Sequence, residues 1–394
     1  AYDSDAIDVA ARSSATAEDL PQASFAGQQE TFLNVRGADA VLDACKKCLA
    51  SLFTDRAITY REEQGFDHMQ VALSVGIQKM VRSDKAGVLF TIDTESGFPE
   101  AVIINAAWGL GETVVKGTIN PDQYTVYKPL LNDDSLVPII GKRRGEKAQK
   151  MIYAEEGDAT TKTVETTEEE RTAFVLSDDE VLTLARWAAV IEDHYDRPMD
   201  IEWARDGETE ELFIVQARPE TVQSQQAAGV LRTYRLTETG ERLVTGLSIG
   251  QSIAEGPVQI IHSADEIDRF EEGGILVTEM TDPDWGPILK KAAGIVTDRG
   301  GRTSHAAIVS RELGIPAVIG TGNATEELRD GQEVTLSCVE GTEGYVYEGI
   351  LDYKTDEIDL EALPDTETNI MLNVASPDAA LNWWKLPVEG IGLA

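Results

Sequence analysis

GGRTSHAAIVSR, residues 300–311, lies between two short apolar runs, GIVTD (294–298) and PAVIG (316–320). Those runs read as buried strands, and the segment between them as a tight loop feeding a helix. Gly300 and Gly301 allow a backbone that an anionic group can approach closely. Ser304 or Thr303 suits the N-cap, Ala306 to Val309 carry the helix on, and Gly314 and Pro316 stop it. His305 then sits where free backbone N–H groups and the positive end of a helix dipole favour negative charge. Arg302 and Arg311 add permanent positive charge nearby. A neutral imidazole in that position is a good nucleophile toward phosphorus, and the same donors would hold the product. A histidine that merely caps a helix accounts for neither the glycine pair nor the Arg-Thr-Ser run. The stretch reads as a phosphohistidine site, with His305 as carrier and Arg302 and Thr303 beside it.

Working outward, PVQIIH (257–262), GILVTE (274–279), EVTLSC (333–338) and GYVYEG (344–349) add strands, and residues 283–292 add a second helix opened by Pro283. Six short strands and two helices predict a compact β-rich α/β unit over residues 245–351. Upstream, VALSVGIQKMV (71–81), AGVLFTID (86–93) and AVIINAAW (101–108) read as strands, largely buried by their apolar density. Residues 37–64 and 177–195 read as helices, and 161–171 as an exposed charged excursion. The predicted fold class is therefore α/β multidomain. A first unit occupies 1–225, a linker 226–244, the histidine unit 245–351 and an acidic linker 352–366. Residues 367–394 are too short to bury a core alone.

Two segments of the first unit carry further chemistry. MDIEWARDGETEELFIVQARPET (199–221) reads as a hairpin, with Asp206-Gly207 in the turn region. With the loop centred near Thr209, Glu202 opposes Gln216 and Asp200 opposes Arg218. That cluster of carboxylate, amide and guanidinium suits Mg²⁺ and nucleotide phosphates, although a cross-strand surface salt bridge would look the same. In ARSSATAEDLPQASFAGQQETFLNV (11–35), Arg12 precedes Ser13, Ser14 and Thr16, all able to bind phosphate oxygens.

Acidic residues outnumber basic ones 70 to 34, a formal net charge of −36 that opposes nucleic acid and anionic membranes as partners. A nucleotide site must then be locally basic. The spread of this charge along the chain points to a surface suited to high salt, the halophilic reading. No apolar run approaches the roughly 18 residues of a membrane span. The three cysteines make no disulfide framework; Cys45 and Cys48 share a helical face without a second pair to complete a zinc site. A cytoplasmic setting fits.

The 300–311 segment resembles the phosphorylation-site signature of the phosphoenolpyruvate-utilising enzymes. The 11–35 string, WGLGETVVKGTINPDQY (108–124) and the hairpin together resemble the ATP-binding domain of the synthase branch of that family. SLFTDRAITYREEQGFDH (51–68), EMTDPDW (279–285) and residues 369–394 extend the likeness over nearly the whole chain. The resemblance implies an ATP-grasp-type nucleotide-binding domain followed by a swivelling β/α phosphohistidine domain. It implies that a segment completing the ATP site comes before residue 1, and that residues 367–394 begin a pyruvate-binding barrel. The piece alone would then not complete the reaction, and a homodimer would form through the missing C-terminal domain. The implied reaction converts ATP, pyruvate and water to AMP, phosphoenolpyruvate and phosphate through a pyrophospho- and phosphohistidine.

Residue by residue, the resemblance makes His305 the phosphoryl carrier. Glu202 and Gln216 would hold Mg²⁺ and nucleotide phosphates, Arg12 and Arg218 would neutralise those phosphates, and Gln78, Lys79, Met80 and Val81 would line the adenine pocket. Thr303 matches a regulatory phosphorylation target of some bacterial relatives. Ser304 stands where bacterial synthases commonly carry cysteine, as in the dikinase version. Pyruvate phosphate dikinase, which uses phosphate in place of water, and rifampicin-type phosphotransferases are the alternatives. The latter end with their histidine domain.

Overall fold

A computed structural model of the protein describes residues 7–15, 31–63, 65–133, 135–154, 160–220, 230–302, 304–360, 362–363, 366–374, 380–381 and 383–392. In the first unit, Val9–Ala15 (β1), Thr31–Val35 (β2) and Leu73–Lys79 (β3) form a small antiparallel sheet in the order β2-β1-β3. Ala38–Ala50 (α1) packs on it, setting Ala44 and Cys48 against Ala11 and Val35, and Asp55–Glu63 (α2) follows. β3 is not buried throughout, as its apolar density predicted; its residues are half-buried or exposed, with Ile77 open to solvent. It is an edge strand, and an antiparallel sheet with one covered face leaves the other to water.

The larger sheet of this unit uses Ser83–Phe90 (β4), Ala101–Trp108 (β5), Asp122–Tyr127 (β6) and Ile139–Arg143 (β7), with Glu112–Val115 (α3) between the second and third. Gln149–Tyr153 (β8) and Thr161–Glu165 (β9) then pair with each other, followed by Glu168–Thr172 (α4), Asp178–Tyr195 (α5), Met199–Asp206 (β10) and Leu212–Pro219 (β11). The six-stranded order is β11-β10-β4-β5-β6-β7, every pair antiparallel. Ser177 and Glu180 close a capping box at the start of α5. Val181, Leu184, Ala185 and Ala188 then fall on one helical stripe and bury against Val102, Ile104, Tyr124, Ile201 and Trp203. Each large side chain so buried contributes roughly 1.5–3 kcal/mol. The charged excursion expected at 161–171 is ordered: β9 pairs with β8, and Thr167 with Glu170 caps α4.

The chain then enters Val230–Leu236 (β12) and a closed barrel of Arg242–Ile249 (β13), Ile253–Ile260 (β14), Ile275–Thr278 (β15), Gly294–Thr297 (β16), Ala317–Ile319 (β17), Glu333–Ser337 (β18) and Glu343–Glu348 (β19). β14 to β17 run parallel to one another, and the remaining pairings are antiparallel. Val258, Val277, Val296, Val318, Val334 and Val346 belong to its core. Gly286–Leu289 (α6) and His305–Leu313 (α7) pack outside on Leu276, Ile295 and Ile319, and Ala324–Glu327 (α8) sets Ala324 into the Val258 core. The sequence reading missed β13, whose RLVTGLSI lacks a continuous apolar run. The stretches read as linkers also change character: Tyr353–Asp359 (β20) pairs with β12 along its length, Tyr234 opposite Thr355. Beyond the ribbon, Met371–Leu372 (β21) and Gly390–Ile391 (β22) pair in parallel.

Candidate active site

α7 begins at His305 because Ser304 stops the helix from starting earlier. Ser304 is extended, with φ −67° and ψ 157°, and its Oγ accepts from the Ala307 N–H at 3.4 Å. Gly300 has φ +117°, and a Cβ there would lie 2.9 Å from Ser304 Cβ, so the loop needs glycine at that point. His305 Nδ1 lies 3.0 Å from the Oγ1 of Thr281, a buried residue just after β15. Burial pushes the imidazole pKa down to about 4, with Asp284 opposing the shift. His305 is therefore neutral near pH 7. In the tautomer whose Nδ1–H donates to Thr281, Nε2 carries the lone pair and is the ring atom free to act as a nucleophile. Thr303 lies outside the described residues.

The histidine loop is seated on the first unit. Gly117, after α3, has φ +63°, and a Cβ there would come within 2.2 Å of Ser304 Cα. Gly301 faces Pro121 in the same way, at 3.1 Å from its Cδ. Beneath this 117–121 loop, Asp122 and Lys147 form a fully buried ion pair at 2.5 Å. Asp122 also accepts from the N–H groups of Gly145 at 2.8 Å and Val175 at 2.7 Å, so its two oxygens tie three segments together. On the other side, Glu95 reaches Arg302 Nη1 at 3.1 Å and Arg311 Nε at 3.1 Å. Those guanidiniums lower the Glu95 pKa against the opposing effect of burial.

The expected hairpin register is observed: Asp200 opposes Arg218, and Glu202 opposes Gln216. Arg12 reaches from the small sheet to the large one, with Nη2 at 2.8 Å from Glu202 Oε2 and hydrogen-bonded also to Gln216 Oε1. Arg218 binds Asp200 Oδ2 through Nε at 2.9 Å and Nη2 at 2.8 Å. Gln78 Nε2 donates to the Val215 carbonyl at 3.1 Å, and Lys79 ends edge strand β3. Met80 is buried with Ala10 and Leu110, and the Val81 carbonyl accepts from the Tyr153 hydroxyl. These residues therefore gather around the junction of the two sheets.

One register row joins the two halves of the site. Gln216, Glu202, Val88, Asn105, Gln123 and Arg143 oppose one another in turn across six strands. Directly paired residues share a sheet face. Asn105, Gln123 and Arg143 also line a cavity of about 280 Å³ whose opposite wall includes Gly301, Arg302 and Gly320. The histidine unit thus lies over the β5–β7 end of the face that also carries Glu202 and Gln216. Strand spacing puts Glu202 and Asn105 about 10 Å apart, two strand separations.

Among the described residues no three His, Cys, Asp or Glu side chains gather as a metal cage. Mg²⁺ needs less in a nucleotide site, where one or two carboxylates act with substrate phosphates. Glu202 Oε2 and Gln216 Oε1 converge on a single guanidinium nitrogen, so two hard oxygen donors already face one cationic position. That donor set fits Mg²⁺.

Sequence reasoning did not single out Thr281, Gly117 or Glu95. Thr281 falls in the quoted EMTDPDW run and Gly117 in WGLGETVVKGTINPDQY, but Glu95 carries no local signal, since both its arginines lie more than 200 residues away.

Residues 1–238 match the family described as pyruvate phosphate dikinase, AMP/ATP-binding domain, and residues 270–341 match the PEP-utilising enzyme, mobile domain. A phosphoenolpyruvate synthase of Synechocystis is 56% identical, over 98% of this chain and 48% of its own length. The Aquifex aeolicus synthase is 56% identical over 100% of this chain and 47% of its own, and that of Escherichia coli 55% over 98% and 49%. The chain thus spans about half the length of the curated relatives it matches. No helix of the described residues is long and apolar enough to cross a membrane. With a match to the AMP/ATP-binding domain over its first 238 residues and to the mobile domain over residues 270–341, the chain belongs to the pyruvate phosphate dikinase family of phosphoenolpyruvate-utilising enzymes.

Proposed function

We propose that the whole protein is a pyruvate, water dikinase, in which His305 carries phosphoryl groups from ATP to pyruvate. The observation that carries this reading is His305 at the start of α7, its Nδ1 3.0 Å from Thr281 Oγ1, in a loop whose Gly301 and Arg302 line one cavity with Asn105, Gln123 and Arg143 of the first unit. Nε2 attacks the β-phosphorus of ATP, the bond from that phosphorus to the α,β-bridging oxygen breaks, and AMP leaves with the oxygen. Water then cleaves the pyrophosphohistidine, releasing phosphate and leaving phosphohistidine. Finally the enol oxygen of pyruvate takes the remaining phosphoryl group, its proton is lost, and Nε2 recovers its lone pair. Splitting one transfer into covalent steps lowers each barrier.

In this reading the first unit, 1–225, is an ATP-grasp-type domain holding the nucleotide between its two sheets. The bridge from Arg12 on β1 to Glu202 and Gln216 on the hairpin supports that placement. Glu202 and Gln216 would hold Mg²⁺, which when bound supplies charge neutralisation on the phosphates. Arg12 and Arg218 would exchange their carboxylate partners for phosphate oxygens, a bidentate match for guanidinium. The outer edge of β3, ending at Lys79 and leading into Met80 and Val81, would offer the adenine a backbone to bind.

The histidine unit, 245–351, must carry His305 away to a pyruvate site. The chain enters the barrel through β12 and leaves through β20, so the paired ribbon is the swivel. The parallel pair β21 and β22 would begin the pyruvate-binding barrel. The names of the relatives and the synthase-like strings favour water over phosphate as second acceptor. Incubating the full-length protein with ATP and pyruvate tests this: AMP with orthophosphate is expected, whereas pyrophosphate formed only when phosphate is added would indicate the dikinase. His305→Ala should abolish an acid-labile, base-stable adduct while leaving the fold intact, and an undiminished adduct would refute the assignment.

A further inference from the structure

Glu95 is the one acidic side chain on which both arginines of the histidine loop converge in the described residues, and the dikinase chemistry assigns it no task. It projects from the 93–98 turn of the first unit. Its Oε1 lies 3.1 Å from Arg302 Nη1 and 3.1 Å from Arg311 Nε, and Arg311 Nη2 binds the same oxygen. Its Oε2 accepts from the Gly250 N–H at 3.4 Å. The three side chains are 15%, 11% and 7% exposed for Glu95, Arg302 and Arg311. Arg311 Nη1 also donates to the Arg302 carbonyl at 2.8 Å, so the two arginines form one body around the carboxylate. The turn itself is braced. Ser96 Oγ donates to Asp93 at 2.6 Å, the Glu95 N–H donates to Asp93 at 3.1 Å, and Trp384 Nε1 donates to the Ser96 carbonyl at 3.0 Å.

The charges do not balance. Two guanidiniums, Arg302 just before α7 and Arg311 in its last turn, and one carboxylate leave one positive charge in excess in this cluster, and Arg302 Nε is buried without an acceptor among the described residues. A phosphoryl group on His305 would bring up to two negative charges and three acceptor oxygens to the same turn. It would attract Arg302 and repel Glu95. Breaking one arm of a partly buried ion pair leaves the carboxylate poorly compensated, which favours separating the surfaces.

We propose that Glu95 is a latch that docks the histidine unit on the nucleotide unit, and that a phosphoryl group on His305 opens it by competing for Arg302. Glu95 is thus a positioning residue, acting through the arginines, and it couples the chemical state of the carrier to its location. The inference rests on the phosphohistidine reading above.

The test uses the full-length protein with Glu95→Gln and Glu95→Asp. Isotope exchange between AMP and ATP reads the docked half-reaction, and exchange between pyruvate and phosphoenolpyruvate reads the undocked one. Glu95→Gln should slow the first by about tenfold, within the usual range of coupling between sites, and leave the second unchanged or faster. Glu95→Asp should recover part of the loss. Hydrogen exchange at residues 111–121 and 300–302 should rise in Glu95→Gln before any phosphorylation, and in the unsubstituted protein after phosphorylation by phosphoenolpyruvate. Equal loss of both exchanges, or unaltered hydrogen exchange in Glu95→Gln, would overturn the latch. If the unsubstituted protein catalyses neither isotope exchange, the dikinase reading fails instead. Unaltered hydrogen exchange after phosphorylation would remove the phosphoryl-driven opening.

Discussion

His305 owes its chemistry to its burial and to a neighbour 24 residues earlier in the chain. Burial holds the ring neutral, and a Thr281 hydroxyl that accepts from Nδ1–H would fix the tautomer. An exposed imidazole titrates near 6.5, whereas His305 titrates at about 4. Between those values the folded state binds fewer protons than the unfolded one. The ring therefore withdraws stability as pH falls from 6.5 toward 4 and withdraws none above 6.5. Nitrogen NMR on the four histidines should show one ring still neutral at pH 5.5 and absent in His305→Ala. A midpoint near 6.5 for that ring would contradict the structure. Thr281→Val removes the partner of Nδ1 and should slow adduct formation from ATP and from phosphoenolpyruvate alike, on the order of tenfold for one lost hydrogen bond. Thr281→Ser should restore most of the rate, and a Thr281→Val protein labelled as fast as the parent would dismiss the tautomer argument.

At the level of elements, the docking surface depends on the 117–121 loop keeping its shape. Asp122 and Lys147 are both wholly buried, so neither can find water if its partner is removed. Lys147→Met should destabilise the first unit by about 3–5 kcal/mol, because Asp122 would be left buried without its charge partner. Guanidinium denaturation reads this directly, and a loss below about 1 kcal/mol, typical of an exposed pair, would disprove it. Gly117→Ala acts differently. An alanine at φ +63° is strained by roughly 1–2 kcal/mol, and its Cβ would strike Ser304 only when the units are docked. Labelling of His305 by ATP should therefore fall sharply, while labelling by phosphoenolpyruvate persists in a folded protein. Parallel loss of both would mean that the glycine serves the fold alone.

Across the whole molecule, 70 acidic residues face 34 basic ones, and self-repulsion opposes the compact state. The screening length falls from about 30 Å at 0.01 M salt to about 3 Å at 1 M, so KCl should raise the thermal midpoint steeply over that range. A halophilic surface predicts a further rise in multi-molar KCl, beyond the point where screening saturates. A melting series that is flat above physiological salt would leave that reading unsupported. The same series touches the docked interface, since Glu95 joins the units through partly screened charges.

Local patterns in the sequence determined the His305 loop, its N-cap and terminating glycine, the α5 stripe and the pairing of Glu202 with Gln216. Each of these rests on residues close in sequence, at most the 14 positions from Glu202 to Gln216, where backbone geometry decides which side chains meet. Other features had no local signature. β13 was missed because its apolar residues do not form a run, and the buried reading of β3 failed because burial depends on what covers a strand. The 226–244 and 352–366 stretches read as connectors because each one's pairing partner lies more than a hundred residues away. Glu95 and Gly117 matter only because tertiary structure brings the histidine loop onto the first unit, and Thr281 only because the barrel folds the chain after β15 against the start of α7. An ion pair spanning 216 residues is created by docking, and docking is a property of surfaces that the linear order of residues does not display.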